Sequence, residues 1–290
     1  MKSITGSSDP ANIFPASSSV ARALAILCLR LHLPVVPTPA PATPPRIFSP
    51  LRRAAVFSRA SVRQQRGNAA RFIAEDMREE VKERLSFMQF RPQSALVIGD
   101  PAGLLAADLQ VLGAQVTALP SGEWHGDEPL SIEPVELILT DTSLATINDL
   151  PGALLHLRKA LLPGGLLIAS LIGAGSLPRL RASILAAEPD RPHPRLHPQI
   201  DNYTASALLQ RVGFARQVVD SHTLIVRYRR LRTLIFDLRD QGLGSVLANG
   251  TPPLTREGLQ KAEAAFADMA EPDGRVAEQF ELITLTGWRS

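Results

Sequence analysis

Cysteine is almost missing from this chain: Cys28 stands alone in 290 residues. A single thiol excludes an internal disulfide framework and any cysteine-based zinc site, and it suits a reducing compartment. Acidic residues are missing from the front. Residues 1–74 hold ten Lys/Arg and one acid, Asp9, whereas the remainder holds 21 basic and 27 acidic residues. The body is therefore net acidic, and no basic face is left outside the front segment to grip nucleic acid. The front segment reads as a solvated arm, or as an arm that touches an acidic surface. A long apolar run is also missing there. In "ARALAILCLRLHLPVV" the longest uninterrupted stretch, Ala23 to Leu29, ends at Arg30. A spanning helix needs about 20 apolar residues, so this segment cannot cross a membrane.

Two features of the first 45 residues remain. "PTPAPATPP", from Pro37 to Pro45, has five prolines in nine residues and reads as an extended polyproline-II spacer. Residues 1–45 as a whole read as a disordered arm or an over-long start, as a targeting segment, or as a short docking helix. The folded part is expected at 46–290, where 45% apolar and 20% charged residues over the whole chain fit a soluble globular domain. "RIFSPLRRAAVFSR" and "RQQRGNAARF" read as a basic approach segment before the first helix.

From there the pattern alternates. Met77, Val81, Leu85 and Met88 recur at helical spacing over Ala74–Phe87, with acids in the first turn. A strand is expected at Ala95–Ile98, a helix at Ala102–Leu112 stopped by Gly113, and strands at Ala114–Leu119 and Val135–Thr140. Leu150, Leu154, Leu157 and Leu161 stripe the next helix, which "LLPGG" ends. "LLIASLI", Leu166 to Ile172, is apolar throughout, as strands covered on both faces are. Short helices at Tyr203–Val212, Leu231–Gln241 and Thr255–Met269 follow, with a bent strand or two over Arg216–Tyr228 and a last strand in "EQFELITLTGW". This order predicts an α/β fold with a doubly wound sheet.

In such sheets ligands sit beyond the carboxyl ends of the strands. "SALVIGDPAGLL" places Gly99, Asp100 and Gly103 in a strand–loop–helix turn at one such end, where free helix N–H groups can meet a ligand. Pro101 removes one of those donors. An acid is expected after the second strand to hold a ribose, yet Leu119 and Pro120 stand there. Glu123, four residues on, either swings in or is a solvated loop acid. Asp141 closes "LILTDTS" at the same edge and either faces a cofactor or substrate or caps the turn through Thr142 and Ser143. His193 and His197 are four apart among prolines, which no helix tolerates, so a two-histidine metal face is not expected. His156 reads as a packing or surface residue.

"NDLPGALLHLRKALLPGGLLIASLIG" resembles the segment from the fourth helix to the fifth strand of class I S-adenosylmethionine (SAM)-dependent methyltransferases. "ALLQRVGF", "VVDSHTLIVRY", "LIFDLRDQGLGSVL" and "FELITLTGW", in this order, resemble one branch of that family, and so does "PRIFSPLRRAAVFSR". The branch contains the mitochondrial respiratory complex I assembly factor 5 and its bacterial relatives, with malonyl-ACP O-methyltransferase further off. The resemblance covers about residues 46–290. It implies a Rossmann-like sheet with a final antiparallel strand at Phe280–Trp288, helices inserted before that strand, and substrate or lid elements at about 174–205 and 229–270. It also implies SAM at the first strand–helix loop.

The chain departs from the family at cofactor positions. Val97 replaces an acid, Asp100 and Pro101 replace the next loop pair, and the acid after the second strand is missing at Leu119/Pro120. Ala145 stands where relatives often carry histidine. Each lost charge-assisted hydrogen bond costs about 1.5–3 kcal/mol, so a few such losses remove most cofactor affinity. The expectation is a SAM-dependent methyltransferase-family protein with a degenerate cofactor loop, built on Gly99, Asp100, Gly103, Glu123 and Asp141. Its acceptor is a protein or small molecule, a respiratory complex I subunit being one candidate. The alternative is a non-catalytic or hydroxylase-type factor that assists complex I assembly. The location implied is the cytoplasm in a bacterium and the mitochondrial matrix in a eukaryote.

Overall fold

The structure is a computed structural model that describes residues 46–290. The expectations for residues 1–45, including the proline spacer, lie outside the described residues.

The strands are β1 (Ser94–Ile98), β2 (Gln115–Leu119), β3 (Val135–Thr140), β4 (Leu161–Ile172), β5 (Ala215–Tyr228) and β6 (Val276–Trp288). They form one sheet of order β2-β1-β3-β4-β6-β5. β1 to β4 run parallel, and β6 lies antiparallel between β4 and β5. This is the α/β, Rossmann-like architecture of class I methyltransferase type, closed by an antiparallel strand as the resemblance implied. Between β4 and β6 the chain inserts helices α5 (Pro178–Ala187), α6 (Asn202–Val212), α7 (Leu231–Asp240) and α8 (Arg256–Ala267).

Alternation along each strand divides the core in two. Ala95, Val97, Leu137 and Leu139 face one layer. That layer includes α2 (Phe72–Phe87), α3 (Leu104–Val111), α5, α7 and α8. Leu96, Ile98 and Ile138 face the other layer, formed by α4 (Leu150–Ala160), α6 and the loop carrying Trp124. Helices on both faces explain why these strands read as nearly continuous apolar runs.

Two expectations need correcting. Residues 50–64 are no mere approach segment: Pro50–Gln64 is a helix, α1, capped by the Ser49 side chain and opened by proline at its first turn. Its inward face carries Arg53, Phe57, Ala60 and Gln64, so apolar periodicity alone does not reveal it. "LLPGG" does not end α4 as a loop but opens β4, which begins at Leu161 and slips register against β3 near Val135. Residues 142–146 form a 3-10 helix after β3.

α1 lies across the carboxyl ends of the strands, and its anchor is Arg53, which is 2% exposed. The guanidinium donates to Thr146 Oγ1 (3.0 Å), the Trp124 carbonyl (2.5 Å) and the Ser143 carbonyl (3.5 Å). Asn148 pairs both ways with the backbone of Phe48, and Ser49 N–H donates to the Val246 carbonyl, which straps the start of the helix down. A buried cation with several fixed acceptors is stable only while all are present. Arg53→Ala should therefore lower unfolding free energy by about 2–4 kcal/mol in urea titration. Arg53→Lys should recover less than half of that, because an ammonium cannot reach three divergent acceptors.

Candidate functional site

Strand order reverses around β1, since β2 lies on one side of it and β3 on the other. The crevice at such a switch point is where a doubly wound sheet holds its ligand. Two loops meet there. Ile98 is in register with Thr140, so Gly99 and Asp141 are the next residues on adjacent strands, and Asp141 N–H donates to the Ile98 carbonyl at 3.0 Å.

Gly99 has φ +98°, and a Cβ at that position would stand 2.1 Å from Asp141 Cγ. Only glycine fits. The Asp141 carboxylate rests on the Gly99 α-carbon, accepts from Ser121 Oγ at 2.9 Å, and caps the 3-10 helix through Ser143 N–H at 3.0 Å. Turn capping through Ser143 is thus observed. Asp100 has φ +64°, a conformation that aspartate tolerates better than most residues. Its carboxylate turns back and accepts from the backbone N–H groups of Leu104 (2.8 Å) and Ala106 (2.9 Å). Gly103, at φ +70°, is the helix N-cap and has no side chain to offer, so Asp100 caps α3 in its stead.

Burial pushes the Asp100 and Asp141 carboxyls above the usual carboxylate range, and the Asp141 charge adds to the rise at Asp100. Arg53 opposes this at Asp141, while burial lowers the guanidinium itself to about 10. Two carboxylates and one guanidinium therefore share a shielded head to the sheet. Glu123 is not drawn into this group: it is exposed in the loop after β2.

The space left is small. A cavity of about 30 Å³ lies beside the loop, walled by Met77, Asp100, Leu105, Asp141 and Gln241. That is room for about one water, whereas ligand sites run to some 300–1,000 Å³. A second cavity of about 60 Å³ adjoins it through Thr142 and is lined by Phe57, Thr146, Leu177 and His197. Beyond β2, where a ribose-holding acid is expected, α1 presses in: a Cβ on Gly122 would lie 3.0 Å from Ala54 Cα. The glycines keep the shape of a cofactor turn, but the residues present do not fit SAM in this conformation. Asp100 occupies the helix N–H groups, Asp141 fills the space over Gly99, and no acid stands directly at the end of β2, where Pro120 follows Leu119.

His197 stands among prolines, so sequence spacing gives no sign of its place beside the site. Its Nε2 accepts from Val246 N–H at 2.9 Å, and its ring meets Phe48 edge-on with centroids 5.4 Å apart. A backbone N–H can only donate, so Nε2 is bare and the neutral ring carries its proton on Nδ1. Burial lowers this imidazole from 6.5 to about 4. Among the described residues no cluster of His, Cys, Asp and Glu is arranged to hold a metal.

The chain is 30% identical over 229 residues to the mitochondrial arginine-hydroxylase NDUFAF5 of Danio rerio, covering 75% of this chain and 65% of that one. With the Homo sapiens NDUFAF5 it shares 26% over 277 residues, covering 84% and 80%. With a malonyl-[acyl-carrier protein] O-methyltransferase of Coxiella burnetii it shares 29% over 158 residues, covering 53% and 51%. Its homologues are the NDUFAF5 proteins and the malonyl-[acyl-carrier protein] O-methyltransferases. The span common to this chain and the zebrafish NDUFAF5 is thus just under two thirds of the latter's length. No protein-family model matches the chain. The solved structure of the plantazolicin methyltransferase BpumL with SAH superposes at TM-score 0.41 and 12% identity, covering 82% of this chain and 96% of that one.

The neutral His197 sets a pH dependence. A folded value below the unfolded one means its contribution is complete above pH 6.5 and is lost as pH falls toward about 4. The stability advantage of the native chain over His197→Ala, measured by urea unfolding, should therefore shrink steadily across that window. An advantage that grows on acidification would contradict the assigned tautomer.

Proposed function

We propose that this chain is a SAM-dependent methyltransferase-family protein whose first strand–helix loop is degenerate, so that SAM binds at Gly99–Gly103 only weakly and only when α1 lifts. The observation that carries the reading is the pair Asp100 and Asp141, which fill the loop while its glycines keep their positive φ. Glu123 is the nearest acid in sequence to the missing ribose ligand and takes that part once the loop after β2 is freed. The acceptor enters over the cavity at Thr142 and His197, under lid elements at about 174–205 and 229–270, with residues 46–290 forming the domain. It is a protein or small molecule, and the NDUFAF5 likeness favours a respiratory complex I subunit. By the same likeness the protein works in the mitochondrial matrix of a eukaryote, or in the cytoplasm of a bacterium. Among the described residues no helix is long and apolar enough to cross a membrane.

The second reading is a non-catalytic or hydroxylase-type factor that assists complex I assembly. It is favoured by the same filled loop, because a protein that never binds SAM has no need to keep the loop clear.

Calorimetric titration of SAM into the full chain separates the two. The proposal expects a dissociation constant of about 0.1–1 mM, against the micromolar range that intact contacts would give. Pro101→Gly with Leu119→Asp should tighten it at least tenfold by returning a donor and a ribose acid. No heat at several millimolar SAM, in either protein, would leave the assembly-factor reading.

A further inference from the structure

The two edges of the sheet are unlike. β5, at one edge, is guarded by charge: Arg84 pairs with Asp220, His222 Nε2 meets Asp76 Oδ2 at 2.8 Å, and Arg227 bonds Glu271 at 2.8 Å. Charged side chains along an edge are a usual defence against unwanted strand pairing. β2, at the other edge, has none. "QVTAL" contains no charge, no proline and no glycine, and Gln115, Thr117 and Ala118 are exposed.

Backbone polarity shows what this edge offers. Gln115 N–H donates to the Gln93 carbonyl, and the Leu119 carbonyl accepts from Gly99 N–H, so both residues turn their polar groups toward β1. Successive residues of a strand alternate in direction. Val116 and Ala118 therefore turn their N–H and C=O groups outward, and among the described residues no backbone group meets them.

The surface beside the edge is equally bare. From Pro101 to Gly122 the only charged side chain is Asp108, which Arg78 neutralises through a bidentate pair at 2.5 and 2.6 Å. On α3, Val111 is 88% exposed and Leu112 is 53% exposed. They continue into an open groove between α2 and α3, of about 660 Å³, lined by Val81, Leu85 and Phe90 together with the cations Arg78, Lys82 and Arg91. Protein surfaces ordinarily carry about a quarter to a third charged residues. A strip of this length with one neutralised charge has the chemistry of a covered surface.

We propose that β2 pairs antiparallel with β2 of a second copy of this chain, about a two-fold axis at Thr117. The strand is its own complement in that register. Val116 faces Ala118 of the second copy and Ala118 faces its Val116, so every outward N–H meets an outward C=O. Thr117 meets its own counterpart across the axis, and no like charges are brought together. Val111 and Leu112 of the two copies then flank the seam, and the two sheets become one. The self-complementary register favours a second copy over a foreign strand, since an isologous interface needs one patch that fits itself.

Sedimentation analysis of the full chain from about 1 to 100 µM tests this. A dimer is expected, with Thr117→Lys raising its dissociation constant at least tenfold by setting like charges directly opposite each other across the axis. Ala118→Pro should do the same, because it removes an outward N–H and leaves the β1 ladder intact. Val111→Asp, at a position too exposed to affect folding, should also weaken the dimer at least tenfold. A monomer throughout the range, or a dimer that all three variants leave unchanged, would overturn the proposal.

Discussion

The carboxylate of Asp141 lies on the α-carbon of Gly99, where a Cβ would stand 2.1 Å from its Cγ, and the upper edge of the sheet is arranged around that contact. Gly99 has to be glycine because of it, and Ser121 and Ser143 turn toward it. Arg53 is held near by its own acceptors and balances part of its charge. A buried carboxylate without such company would be protonated or expelled. Removing water from this edge falls to α1, whose position therefore depends on the same cluster it covers.

Under the proposed function, the Gly99–Gly103 loop is a cofactor turn with the right backbone and the wrong occupants. Positive φ at Gly99, Asp100 and Gly103 bends the chain as a ligand-binding loop bends it. The α3 N-terminus, whose dipole and free N–H groups favour an anion, already holds one in Asp100. A ligand carboxylate would have to displace a tethered group whose effective concentration is high. This is a physical route by which a methyltransferase-type fold keeps its shape while its affinity for SAM falls, and it needs no disturbance of the core.

Much of the fold was legible in the sequence because it rests on alternation and helical spacing. The β1 to β4 runs, α2 through Met77, Val81 and Leu85, and the closing strand all announce a sheet covered on both faces. What stayed hidden rests on polar contacts. α1 turns an Arg and a Gln inward, so no apolar stripe marks it, and only Ser49–Pro50 signalled a helix start. The pairing of Asp100 with Leu104 and Ala106 and of Asp141 with Gly99 depends on φ values and register that no spacing rule contains. His197 was hidden by its prolines, since its role comes from a backbone N–H 49 residues away. Glu123 was legible only as an acid near the right place, and the structure leaves it on the surface.

The account stands on Asp100 occupying the place of a ligand anion. Asp100→Gly tests this most directly, since glycine accepts φ +64° without strain and frees the N–H groups of Leu104 and Ala106. The measurement is the SAM dissociation constant of this variant beside that of the native chain. An increase in affinity of at least about tenfold, corresponding to about 1.4 kcal/mol, is predicted. An affinity unchanged or weakened in a variant that folds normally would contradict it.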